Sequence, residues 1–303
     1  MLYGARNPLY ERALQSHRRH AEGWGYGMEV LQNEIAVGYW NKPSYLLALV
    51  VNELSKPIAE RVEWIMWVDA DSIIINPLIP LEIFLPPSST SLDSIHFVAT
   101  KDHKGLNTGI FFLRVHKWSV HFLIESLAYP KYNPYVDLDV QVDQSAMERV
   151  LNESSYCGNV TYLPRPWINA YEWKHAYEGE RGNMLVHFPG LDGARWEHMR
   201  KWLDVVDAGV GGWEVGLEET WYLEGTRGFW ERVERARGII DEYKSRNGTD
   251  VKGKEGTVPG EASGRKIEME RAMEELKHVL YEEPYEGDLL QQRIEAWNRI
   301  STG

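Results

Sequence analysis

The stretch Trp64–Pro77, WIMWVDADSIIINP, constrains the fold more than any other part of the chain. An apolar run rich in β-formers ends in Asp69-Ala70-Asp71, and a second apolar run follows at once. Such a run is the pattern of a central strand buried on both faces. The two acids then lie at its C-terminal end, where open α/β sheets bind ligands. Adjacent carboxylates repel one another unless a cation lies between them. A divalent ion held by one or two carboxylates and a ligand's phosphates is the usual form of a Mg²⁺ or Mn²⁺ site. A lone D-x-D also suits a strand entering a turn, where Asp bonds its own backbone, so the motif needs company before it decides anything.

The rest of the chain alternates strand and helix patterns. Leu9, Ala13 and His17 mark one face of a helix stopping near Gly23, and Tyr26–Leu31 reads as a strand. Pro43 suits the first turn of a helix through SYLLALVVNEL. Ile73–Ile75, His96–Thr100, Ile110–Val115, Val160–Leu163 and Met184–Phe188 read as further strands. Trp118–Ala128 and VDQSAMERVL read as helices, and Met1–Tyr3 as the end of a strand. This predicts an α/β fold with a mostly parallel, Rossmann-like sheet flanked by helices. Two domains are expected, an α/β one over 1–210 and a helical C-terminal extension over 211–303 with a flexible linker at about 245–265, where apolar residues are sparse.

Composition narrows the function. The 303 residues carry 33 basic and 45 acidic side chains, for a formal net charge of -12, and no basic stripe suited to nucleic acid is present. The aromatic share, 12%, suits core packing and also stacking on flat sugar faces. The lone Cys157 excludes an intrachain disulfide and a cysteine metal cage. Sequons at Asn152, Asn159 and Asn247 are compatible with a secretory compartment. Neither a signal-peptide pattern nor an 18-residue apolar span is found, so the chain as written is expected to be soluble or truncated. Walker-type and G-x-G-x-x-G phosphate loops are absent, leaving a metal and scattered basic groups to neutralise any diphosphate.

Three further segments carry candidate chemistry. His187, near the end of MLVHF, is either a hydrogen-bonded core histidine or a third metal ligand beside the two acids; imidazole suits Mn²⁺ better than Mg²⁺. In GLNTG, an ordinary turn competes with a reading in which Gly109 permits close backbone approach while Asn107 and Thr108 offer hydrogen bonds to sugar hydroxyls. In DQSA, Asp143 either favours a helix N-terminus or points with Gln144 into a pocket.

Taken together, NPLYERALQSHRRHAEGWGY, YWNKPSYLL, WIMWVDADSIIINP, GLNTGIFFLRVHKWS, DQSAMERVL and LVHFPG, in that order, resemble glycosyltransferase family 34, the Golgi galactosyl-, mannosyl- and xylosyltransferases of fungi and plants. The resemblance covers most of residues 1 to 200. It implies a GT-A fold, a UDP- or GDP-sugar donor, a glycan acceptor, a Mn²⁺ (or Mg²⁺) cofactor, retention of anomeric configuration and a Golgi-lumen location. Asp69 and Asp71 match the family's metal-binding D-x-D, and His187 the histidine completing that site. Asn107, Asp143 and Gln144 fall on positions placed around donor sugar and acceptor, Asp143 and Gln144 as the candidate catalytic pair. Lys42 matches a lysine for which the sequence suggests no role.

Two departures accompany the resemblance. The basic residue often found after His-Phe-x-Gly is replaced in GLDGAR, where Asp192 stands nearby and Arg195 is the nearest cation; Arg195 or Lys101 is the expected substitute at the donor phosphates. Members also carry an N-terminal membrane anchor and a complete first strand, whereas this chain opens inside that strand. The expectation is a Mn²⁺-dependent, retaining transfer of a hexose, galactose or mannose, to a sugar hydroxyl. The alternative is a catalytically inactive carbohydrate- or partner-binding relative.

Overall fold

The computed structural model describes residues 6–209, 211–249, 260–285 and 288–302. They form two compact units, one made of residues up to Leu85 with His96–Leu223, the other of Pro86–Ile95 with residues from Glu224 onward.

The first unit is the α/β one. Its helix α1, Pro8–Trp24, starts where Asn7 accepts the Leu9 N–H through Oδ1 at 3.0 Å and Pro8 fills the first turn. It ends on Gly25 at φ 74°, a left-handed cap that glycine adopts without steric cost. Helix α2, Asn41–Ser55, follows with Pro43 in its first turn, as its sequence predicts. The strands are β1 Trp64–Val68, β2 Ser72–Ile74, β3 Phe97–Asp102, β4 Gly105–Arg114, β5 Val160–Tyr162 and β6 Leu185–His187. Between them come α3 Lys117–Tyr132, α4 Val142–Leu151 and the single turn α5 Arg165–Ile168, and α6 Arg195–Ala208 closes the series.

Strands β1-β4-β3-β5 form one sheet in that order, and β2-β6 a separate ribbon. The expected α/β class with a central sheet and flanking helices is what the unit shows, but the mostly parallel sheet is not. Among the described strand–strand pairs, isolated bridges aside, only β3 with β5 is parallel; β1 with β4, β3 with β4, and β2 with β6 are antiparallel. The reason lies in GLNTG. The sequence pattern predicts a segment between two strands there, yet Gly105–Gly109 is the first half of β4 itself. The reversal is made by His103-Lys104, with Asp102 opposite Gly105 and Gly105 at φ 107°. That tight hairpin forces the antiparallel pairing.

The buried central strand is therefore β4, whose side chains from Leu106 to Leu113 are all buried. Strand β1, expected to be buried on both faces, lies at the edge of the described sheet, and only its Trp67 is buried. Tyr26–Leu31, expected as a strand, takes no sheet pairing. Tyr26 is held by its backbone N–H to Ala21 O and by its hydroxyl, which donates to Glu82 and accepts from Leu81 N. The strand end expected at Met1–Tyr3 lies outside the described residues. Helices α1 and α6 pack on the ribbon, burying Ala13, Ile73, Val186, Met199 and Leu203 in one cluster, while α4 packs on β4 and α3 joins α4 to α2.

The first unit reaches Leu223 rather than stopping near 210 because the Gly-rich segment is tied back. Asn76 donates to Gly182 O and Val215 O at 3.0 Å, and Trp213 packs against Trp202 and Tyr177. The second unit is helical, as expected of the C-terminal appendage. It holds most of α7 Tyr222–Thr249, together with α8 Gly260–Glu282 and α9 Leu289–Thr302. Helices α8 and α9 bury Met273, Leu276, Leu290 and Ile294, and Tyr243 of α7 meets the Trp297 ring edge-on at 5.3 Å. Arg237 of α7 fixes the 86–95 segment through Ser91 O and Ser94 Oγ. The expected linker at 245–265 is helical at both ends, to Thr249 and from Gly260; its middle lies outside the described residues. No described helix is long and apolar enough to cross a membrane.

Candidate metal and donor site

The two acids of D-x-D belong to different sheets. The Asp69 N–H donates to Gly109 O at 2.8 Å, so Asp69 extends the β1–β4 ladder by one residue. Asp71 O accepts from Phe188 N at 2.9 Å, so Asp71 extends the β2–β6 ladder, in which Ser72 lies opposite His187. Ala70 is the hinge between sheet and ribbon. That junction brings Asp69, Asp71 and His187 together: each offers one ligand atom, and the three atoms lie within 4.8 Å of one another. The turn is pinned from α1. His17 Nε2–H donates to Ser72 O and Oγ, each at 3.1 Å, and the Ser72 hydroxyl donates to Asp69 O at 2.7 Å.

Each carboxylate has a basic neighbour. Arg195 Nη1 stands 3.3 Å from Asp71 Oδ2 and His187 Nε2 3.5 Å from Asp71 Oδ1. Burial pushes the Asp71 carboxyl up, but the neighbouring His187 and the Arg195 guanidinium outweigh it and hold the group below its ordinary value. Arg195 is oriented by donating to Phe188 O and to the Tyr10 hydroxyl. Lys42, 4% exposed, places Nζ 3.4 Å from Asp69 and 3.5 Å from Asp143 while donating to Thr108 O at 2.8 Å. Burial alone would depress the Lys42 ammonium; Asp69 and then Asp143 reverse that and raise it. Lys42 thus has a visible structural position where the sequence suggested none. It joins α2, the D-x-D turn, β4 and α4.

Asp143 is almost completely buried, and burial raises its carboxyl despite the neighbouring Lys42. Its Oδ2 has no hydrogen-bond partner. Gln144 Oε1 accepts from Thr108 N at 2.9 Å and from its hydroxyl at 3.3 Å, tying the start of α4 to β4. Asn107 and Thr108, expected to face sugar hydroxyls, are 6% and 1% exposed. Much of their bonding capacity is spent inside the protein, Thr108 on Lys42 and Gln144, Asn107 on Gly109, Asp102 and Asn169. Gly109 does permit a close approach, but to the His187 ring, whose Cε1 would lie 2.4 Å from a Cβ at that position. Of the two candidate substitutes for the missing basic residue, Arg195 is at the acids; Lys101 Nζ lies over the Tyr162 ring at 4.3 Å.

The donor set fits a hard or borderline divalent ion: two carboxylates and one imidazole, converging from two strand ends. The profile of the galactosyl transferase GMA12/MNN10 family matches residues 83–195. Residues 83–195 are a glycosyltransferase family 34 segment. Two curated relatives extend the likeness. The alpha-1,2-galactosyltransferase of Schizosaccharomyces pombe is 23% identical over 222 residues, 61% of this chain and 57% of that protein. Xyloglucan 6-xylosyltransferase 4 of Arabidopsis thaliana is 37% identical over 224 residues, 72% of this chain and 33% of that protein. The chain thus spans less than two thirds of the length of either relative. Among solved structures, a glycosyltransferase involved in glycosylation of the major capsid of PBCV-1 aligns with 66% of this chain and 97% of its own at 16% identity and a TM-score of 0.47.

Asn169 and Tyr10 join the site without having been singled out in the sequence. Asn169 lies in PWINAYEW, outside any motif, and only the fold brings it to His187. Tyr10 occurs in the sequence reading only inside the stretch NPLYERALQSHRRHAEGWGY.

Proposed function

We propose that this chain transfers a hexose, galactose or mannose, from a UDP- or GDP-sugar to a sugar hydroxyl of a glycan, with retention of anomeric configuration and with Mn²⁺ or Mg²⁺ as cofactor. The observation that carries the reading is the meeting of Asp69, Asp71 and His187 at the junction of sheet and ribbon, with Arg195 alongside. When bound, the divalent ion supplies Lewis-acid charge to the donor diphosphate.

In this reading Asp69, Asp71 and His187 hold the ion. Arg195, already paired with Asp71 and steadied by Phe188 O and Tyr10, turns toward the phosphates and takes up charge as the anomeric carbon–oxygen bond breaks. Lys42 stands between Asp69 and Asp143 and offsets the repulsion between the two carboxylates. Asp143 and Gln144 are the groups nearest the reacting sugar, with Gln144 fixed by Thr108 so that its position does not drift. Asn107, Thr108 and Gly109 serve the donor sugar chiefly through the groups they hold in place. The Golgi lumen is the compartment we propose, on the family resemblance and on sequons such as that of the exposed Asn152.

Turnover of UDP-galactose, GDP-mannose and UDP-xylose against galactose and mannose oligosaccharides, with and without Mn²⁺, tests this. Metal-dependent transfer of a hexose, lost in Asp69→Asn and in Asp71→Asn, is the expected result. Transfer of the pentose alone would overturn the hexose assignment. Stabilisation by free oligosaccharide, with no response to donor or metal, would favour the binding-module alternative.

A further inference from the structure

We infer that Asn169 is a positioning residue that fixes the tautomer of His187, so that Nε2 is the nitrogen presented to a cation beside Asp71. The inference rests on the metal reading above for its purpose, but the hydrogen-bond logic stands without it.

The logic starts from a donor that cannot be reassigned, the backbone N–H of Gly109. It points at the Asn107 side chain at 2.9 Å, so the atom it meets is the acceptor Oδ1. Asn169 approaches that same oxygen at 2.9 Å, and must therefore present its NH₂. The same Nδ2 reaches Thr100 Oγ1, also at 2.9 Å. With Nδ2 committed to these two acceptors, the Asn169 oxygen is what faces His187 Nδ1, at 2.7 Å. A carbonyl oxygen only accepts, so Nδ1 carries the hydrogen. When the imidazole is neutral its lone pair is on Nε2, the nitrogen 3.5 Å from Asp71.

A flipped Asn169 would set two acceptor oxygens against each other at Asn107. Both Asn169 and His187 are buried, at 0% and 2% exposure, so water has no access to soften the mismatch. The backbone holds the pair in register as well: His187 N donates to Ala170 O at 2.8 Å, and Tyr171 forms a parallel bridge to His187. The first link is anchored from behind, because Asn107 Nδ2 donates to Asp102, whose Oδ2 also accepts the Tyr171 hydroxyl. A carbonyl that fixes one imidazole nitrogen so that the other can bind metal is a general device of metal sites, and its loss typically weakens binding by about 10- to 100-fold.

The test uses full-length, metal-free protein labelled with ¹⁵N-histidine, at a pH where imidazoles are neutral, with the His187 signals assigned from the spectrum of His187→Gln. Long-range ¹H–¹⁵N correlation should show a protonated Nδ1 and a bare Nε2 in the wild type. The opposite tautomer there overturns the inference and needs no variant to fold. In Asn169→Leu the tautomer should shift toward Nε2–H and the Mn²⁺ dissociation constant should rise about 10- to 100-fold. An unchanged tautomer in Asn169→Leu also refutes the inference. A wild type that shows protonated Nδ1 but binds no Mn²⁺ would refute the metal reading and leave the positioning of His187 standing.

Discussion

Gly109→Ala is the sharpest single-atom test of how the site is built. Gly109 has no positive φ, so alanine meets no backbone penalty there; the whole effect is steric. The added Cβ would lie 2.4 Å from His187 Cε1, 3.1 Å from His187 Nε2 and 3.0 Å from Asn107 Oδ1. Ordinary contact begins near 3.4 Å, so either the imidazole or the β4 backbone must give way by about 1 Å. The ring is buried and tied to Asn169, and β4 is hydrogen-bonded on both edges, so neither moves freely. Overpacking of this kind costs about 1–3 kcal/mol. At roughly 2–4 °C per kcal/mol for a unit of this size, the melting temperature should fall by roughly 2–12 °C. Metal–ligand distances tolerate only about 0.2 Å, so the Mn²⁺ affinity should fall at least about tenfold. Calorimetric unfolding and Mn²⁺ titration of the same preparation measure both, with Gly23→Ala as the control, since a Cβ there meets nothing within 4 Å. Wild-type melting together with wild-type Mn²⁺ affinity in Gly109→Ala would refute the geometry. Lost stability with intact affinity would mean that β4 yields and His187 does not.

Lys42→Met leaves the buried Asp143 and the adjacent Asp69 without their shared cation and should destabilise the first unit by about 3–5 kcal/mol; Asp143→Asn in the same background should recover part of it, and a urea-midpoint shift equivalent to less than about 1 kcal/mol would refute the pairing. His17 is lowered from 6.5 to about 4, chiefly by burial and against the Ser72 O hydrogen bond, so the folded state favours its neutral form. The stability this contributes is fully present above pH 6.5 and is lost as the pH falls toward 4, up to roughly 3 kcal/mol. Urea unfolding at intervals across that window should show the wild type losing stability relative to His17→Gln, and parallel curves would refute it.

The helices were legible because their signals are local. Leu9, Ala13 and His17 mark α1, whose end the sequence puts near Gly23 and the structure at the Gly25 cap, and Pro43 sits in the first turn of α2, as the sequence indicates. Strand direction was not legible. Apolar runs say that a segment is buried, whereas parallel or antiparallel pairing depends on where the chain reverses. Here the reversal fell on His103-Lys104, a dipeptide without the usual Asn-Gly signature, and the more turn-like GLNTG went into the strand. β1 misled for a related reason: WIMWV is apolar enough for a central strand, but among the described residues nothing pairs with its outer edge.

The site divides along the same line. Asp69, Asp71 and His187 were readable as residue types that share a chemistry, and their meeting needs only the strand ends that the sequence already marks. What surrounds them was not readable, because it depends on which atom of a side chain faces which neighbour. Thr108 was expected to serve a ligand and instead serves Lys42 and Gln144. Gly109 was expected to admit a ligand and instead admits an imidazole ring. Asn169 carries no motif at all, since an amide that orients a histidine needs only to be in hydrogen-bond reach, and sequence spacing does not encode that reach across 18 residues. A motif records the groups that touch the ion or substrate; the groups that hold those in place are selected by three-dimensional fit, and here they are found only by following each donor to its acceptor.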